Sequence, residues 1–131
     1  MFEADPLQKK RHSDIEVALR SLAELQKPML EKLEFDNTST ETLSRYGLAL
    51  IIEVAEFLNE TPWKMWKKGG GKAYDTDRMK EEFADLLSYL GSWINFLVML
   101  GISIEDMAEA YQHKRLENYV RFGVVDKEGE Q

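Results

Sequence analysis

Apolar residues recur at intervals of three and four through most of the chain, the period of helices that bury one face. Ile15, Leu19, Leu22 and Leu25 form the first such stripe. Ser13 with Glu16 reads as a capping box opening this helix, and Pro28 is expected to kink or interrupt it, leaving a shorter helical piece to Leu33. After the polar segment FDNTST, a second helix is expected from about Glu41, capped by Thr38, to the break at Thr61 and Pro62. Its run LALIIEVAEFLNE is apolar on nearly every face, which predicts a central position. A third helix should span about Asp77 to Leu100, with Phe83, Leu86, Leu87, Leu90, Trp93, Ile94 and Leu97 on its apolar side and Gly101 closing it. The fourth opens at Ser103, which can cap with Asp106, and continues to about Tyr119. The expected fold is an all-α bundle of four to five helices, one domain over residues 1–131 with its core at about 13–122 and a tail at 123–131.

A chain of 131 residues can bury a working helical core without covalent staples. The absence of cysteine removes disulfides, thiolate metal sites and cysteine nucleophiles, and it suits a reducing compartment, so a cytoplasmic location is expected. The first dozen residues hold two acids, a proline and no apolar run, which does not suit a signal peptide. Leu86 to Ile102 is the most apolar stretch, but Ser88, Gly91, Ser92 and Asn95 interrupt it, and it reads as a core helix instead of a membrane span. A net charge of −7, from 24 acids against 17 bases, argues against a broad basic surface for a nucleic acid polymer. A phosphorylated small molecule would have to meet these acids through a divalent cation, with a few placed Lys or Arg residues supplying the remaining countercharge.

The most informative acids lie among apolar neighbours. Glu53 and Glu56 are three apart on the second helix and so share a face, which Glu60 extends; Glu82 and Asp85 repeat the spacing on the third, beside Glu81. Packed antiparallel, the two helices can turn these pairs toward each other. Carboxylates gathered in a partly buried site repel one another, and Mg²⁺, or Mn²⁺ in its place, is the hard cation that would neutralise them. Each pair alone reads equally well as solvated surface charge, paired with lysines such as Lys80. A di-iron bundle would need Glu-x-x-His, which neither His12 nor His113 supplies. The GGGK segment fails as a phosphate loop, because Lys72 is followed by Ala73 and no strand precedes it.

Glu53-Val-Ala-Glu56 followed after 25 residues by Glu82-Phe-Ala-Asp85 resembles the ExxE…ExxD signature of the all-α NTP pyrophosphohydrolases, which include MazG-like enzymes, dCTP pyrophosphatases and the dimeric dUTPases. The dimeric dUTPases are the nearest branch, through Asn59, Glu60, Lys64 and Trp66. Tyr111, Lys114, Asn118 and Arg121 resemble that family's YxxKxxxNxxR stripe, and Gln26 resembles a glutamine near its base pocket. The likeness runs from about Leu22 to Phe122, although the chain is shorter than typical members and its GGGK loop replaces a longer segment.

The resemblance implies an Mg²⁺-dependent nucleoside triphosphate pyrophosphohydrolase, foremost a dUTP diphosphatase, working as a homodimer or homotetramer. Glu53, Glu56, Glu82 and Asp85 would be metal ligands, and Glu56, ahead of Glu53, would orient or deprotonate the attacking water. Lys114 and Arg121 would stabilise phosphate charge, with Lys64 or Lys68 assisting from the loop. Trp66 would stack on the base or pack the loop, and Asn118 would bond to sugar or base. A MazG-like or dCTP-directed hydrolase uses the same acids. A non-enzymatic helical module would instead present Trp93, Phe96 and Met99 to a partner.

Overall fold

The computed structural model describes residues 6–33, 40–64, 66 and 73–124. Thr38, the expected cap of the second helix, and Lys68 lie outside them. Among the described residues there are four helices: α1 (Pro6–Leu33), α2 (Thr40–Asn59), α3 (Thr76–Met99) and α4 (Ile104–Arg121). α3 is the centre, with α1 and α2 packed along it, and α4 packs on α1.

Two expectations about α1 are corrected. The helix starts at Pro6, seven residues before the capping box, because proline suits a first helical turn where its missing N–H would have no intrahelical partner. Ser13 is therefore internal to the helix. Pro28 does not interrupt the helix either, and no separate piece to Leu33 follows it among the described residues. Ala23 and Leu30, each 4% exposed, anchor the segments on both sides of it to the interior, while Pro28 itself faces outward.

The expected ends of α3 and α4 match the structure. Asp75 caps α3 by accepting the Arg78 N–H at 3.2 Å, and Gly101 follows the helix at φ 99°. That left-handed residue lets the Ile102 N–H reach back to the Leu97 carbonyl at 3.0 Å, which a side chain at position 101 would strain. Ser103 then caps α4 by accepting the Asp106 N–H at 3.0 Å. α3 and α4 are bent 112° to each other, and no single helix among the described residues is long and apolar enough to cross a membrane.

α2 is not central. No residue of it is buried, and Leu48, Ile51, Ile52 and Leu58 are exposed. Among the described residues its main neighbour is α3, so its all-round apolar character leaves an aliphatic face exposed. The interior instead gathers where α1, α3 and α4 meet, around Ala23, Ile94 and Ile104, with Leu19, Leu22, Leu90 and Met107 against them. Leu25, expected on the α1 stripe, is exposed. Phe96 is fully buried and meets the Tyr46 ring edge-on at 4.8 Å.

α1 and α3 touch backbone to backbone at Gly91. A Cβ there would lie 2.6 Å from the Leu22 carbonyl oxygen and 2.8 Å from Gln26 Cγ. Asn95, one turn on, locks the contact by donating to the Ala23 carbonyl at 2.8 Å. Gly91→Ala must push the helices apart, and it is expected to cost about 2 kcal/mol. Thermal denaturation should show Tm falling by roughly 8 °C; an unchanged Tm would contradict this close approach.

Candidate metal centre

α2 and α3 run antiparallel with a register that several contacts fix. At the loop end, the Asp75 N–H donates to the Glu60 carbonyl at 3.4 Å, and Arg78 reaches the Glu60 carboxylate at 3.8 Å. Farther along, Phe57 meets Phe83 at 6.1 Å and Tyr46 meets Tyr89 at 5.9 Å. A Cβ on Gly47 would come 3.0 Å from Trp93, so that glycine lets the indole lie close to α2. Each turn back along α2 is thus matched by a turn forward along α3, and the two acidic pairs fall opposite each other.

Ligand oxygens of Glu53, Glu82 and Asp85 lie within 4.8 Å of one another. Glu56 is exposed and lies near enough to Glu53 and Glu82 for its charge to raise the pKa of both. Burial, and then the neighbouring carboxylates Glu56, Asp85 and Glu82, push the Glu53 pKa up. Glu82 is raised for the same reasons in the order burial, Glu56 and Asp85, and is partly relieved by Arg78. Glu53 Oε2 and Glu82 Oε2 are buried without a hydrogen-bond partner among the described residues. Orphaned carboxylate oxygens at the centre of a like-charged cluster fit a hard divalent cation, which would satisfy the lone pairs and cancel the repulsion together. Lys80, a possible countercharge, instead pairs with Asp77 at 3.9 Å.

Beside Asp85 opens a cavity of about 360 Å³ lined also by Gln26, Met29, Tyr46, Ser88, Tyr89 and Ser92. Gln26 is thus brought next to the acids by the close α1–α3 contact. The Ser88 hydroxyl donates to the Ala84 carbonyl at 3.1 Å and Ser92 to the Ser88 carbonyl at 3.3 Å, so both offer acceptor oxygens. Burial, then Tyr89, raises the Tyr46 pKa and keeps its hydroxyl neutral.

The other expected residues are placed differently. Asn59 ends α2 and is exposed. Trp66, 73% exposed, packs edge-on against Trp63 at 5.4 Å, and Lys64 lies over the Trp63 ring. The α4 stripe stands away from the acids within one chain. Tyr111 shares a cavity with Asp14 and Ile15, which precede Gln26 by roughly 17 Å of helix. Lys114 pairs with Glu117 at 3.2 Å and, ahead of His113, holds that carboxyl below its ordinary pKa. Arg121 stacks over Phe122, and Asn118 is exposed. Arg78, Tyr46, Ser88, Tyr89 and Ser92 were not singled out from the sequence. Arg78, four residues before Glu82 on the same helical face, carried a usable signal; the others look like ordinary helix residues.

Among the described residues, four helices carry opposed carboxylate pairs on two of them, a set of oxygen donors that suits a hard cation. Residues 18–95, more than half of the chain, match the family model for dUTPase. The chain belongs to the all-α dimeric dUTPase-like family. At family level it is a dUTPase-like nucleotide pyrophosphohydrolase, and that family is generally metal-dependent. Comparisons with curated proteins and with solved structures give no match.

Proposed function

We propose that this protein is an Mg²⁺-dependent dUTP diphosphatase, converting dUTP and water to dUMP and pyrophosphate. The convergence of Glu53, Glu82 and Asp85 from two helices, with two of their oxygens buried and unpartnered among the described residues, is the observation that carries this reading. A divalent cation bound there supplies charge neutralisation and Lewis-acid activation of the phosphate. Glu53, Glu82 and Asp85 would hold it, and Mn²⁺ suits the same donors. Glu56, the exposed acid beside Glu53 and Glu82, would orient a water and accept its proton.

The cavity beside Asp85 suits a flat base. Tyr46 and Tyr89 supply ring surface, Gln26 supplies an amide, and Ser88 and Ser92 supply acceptors toward a base N–H. Lys114, Asn118, Tyr111 and Arg121 enter this reading only in an oligomer that carries α4 of one copy to the acids of another. The exposed aliphatic face of α2 supports a homodimer or homotetramer, since a stripe of this kind is usually covered. We further place the protein in the cytoplasm, as one domain over 1–131. Of the three residues that the interaction-module alternative would present, Phe96 is fully buried and Trp93 lies against Gly47, while Met99 is exposed, so that reading keeps only part of its surface.

Pyrophosphate release across a panel of deoxynucleoside triphosphates, with and without Mg²⁺, tests the assignment. dUTP should turn over fastest, and only with the metal. Equal turnover of dCTP or other substrates would replace it with the dCTP-directed or MazG-like reading.

A further inference from the structure

Among the described residues, Arg78 is a cation paired with the carboxylate cluster. It reaches Glu82 through Nη2 at 3.6 Å and Glu60 through Nε at 3.8 Å. Those two acid side chains are 13% and 12% exposed, whereas the arginine is 55% exposed. The guanidinium therefore sits at the rim, with buried anions behind it and solvent in front. Both separations exceed a charge-assisted hydrogen bond, so its donors are drawn to the acids by charge without being committed to them. Its backbone is fixed independently, because the Arg78 N–H is held by the Asp75 cap. A tethered cation with uncommitted donors can change partner at little structural cost.

We propose that Arg78 is the resident counter-cation of this site, neutralising Glu82 when no metal is bound and turning to a phosphate oxygen of the substrate when a metal takes Glu82 over. This rests on the metal-site reading above. The charge balance favours the exchange. Without metal, Arg78 offsets part of the repulsion among Glu53, Glu56, Glu82 and Asp85. With a divalent ion on Glu82, the arginine is repelled by that ion and attracted by an incoming polyphosphate. Its planar fork matches two phosphate oxygens as well as it matches a carboxylate.

The test is calorimetric titration of the whole protein, first with Mg²⁺ alone and then with inorganic pyrophosphate at saturating Mg²⁺. Removing the competing positive charge in Arg78→Ala should tighten Mg²⁺ binding by about fivefold. It should weaken pyrophosphate binding by about tenfold. Arg78→Lys keeps the charge, so Mg²⁺ affinity should stay near wild type while pyrophosphate binding drops in part; this variant also serves if the alanine protein fails to fold. A purely structural tie between α2 and α3 would instead make Arg78→Ala bind Mg²⁺ more weakly. That result overturns the proposal, as does pyrophosphate affinity unchanged in both variants. Glu53→Gln separates the two levels: if it binds Mg²⁺ like wild type, the metal-site reading itself fails, whatever Arg78 does.

Discussion

Glu82→Gln is expected to lower pyrophosphate release by about three orders of magnitude, the scale of removing several kcal/mol of charge stabilisation from a transition state. The substitution keeps the shape of the side chain but replaces one buried carboxylate oxygen with an N–H₂ donor, where a cation needs a lone pair. Because Glu82 Oε2 has no partner among the described residues, none of their hydrogen bonds is lost at that atom. The variant should keep its helical circular dichroism while steady-state turnover collapses. Activity within tenfold of wild type would remove Glu82 from the site.

Phe96→Ala has the largest expected effect on stability. Phe96 has no exposed surface and packs edge-on against Tyr46, so the change leaves a void at the α2–α3 contact. A buried phenylalanine truncated to alanine costs about 4 kcal/mol. In a domain of this size, that lowers Tm by roughly 15 °C. Denaturant or thermal melts check it, and a loss of under about 1 kcal/mol would show that the cavity collapses or that the ring is less enclosed. Tyr46 also lines the cavity beside Asp85, so the variant should weaken substrate binding before it unfolds.

The acids and the helix ends were legible in the sequence because they depend on local spacing. Glu53 with Glu56, and Glu82 with Asp85, need only the helical repeat to share faces. Ser103 and Gly101 act within one turn of their own position. What was illegible depends on contacts between distant segments. The aliphatic run of α2 has the same signature whether a helix is central or merely covered on one side, and here it is covered on one. Pro28 reads as a break, yet burial of Ala23 and Leu30 on either side keeps α1 continuous. The α4 stripe was correctly placed on one helix, but periodicity says nothing about which end of the bundle that helix occupies. Tyr46 and Tyr89 carry no motif and come to line the cavity beside Asp85 only through the α2–α3 register.

Thermal stability as a function of Mg²⁺, for wild type and Glu53→Gln side by side, tests the central claim that these carboxylates hold a divalent ion. At about a hundredfold excess over Kd, the metal should stabilise wild type by about 2.7 kcal/mol, a rise of roughly 10 °C. Glu53→Gln, relieved of one mutually repelling charge, should melt about 3 °C above wild type without metal and gain almost nothing from it. A wild-type Tm that does not respond to Mg²⁺ or Mn²⁺, or a Glu53→Gln protein that responds as wild type does, would contradict the account.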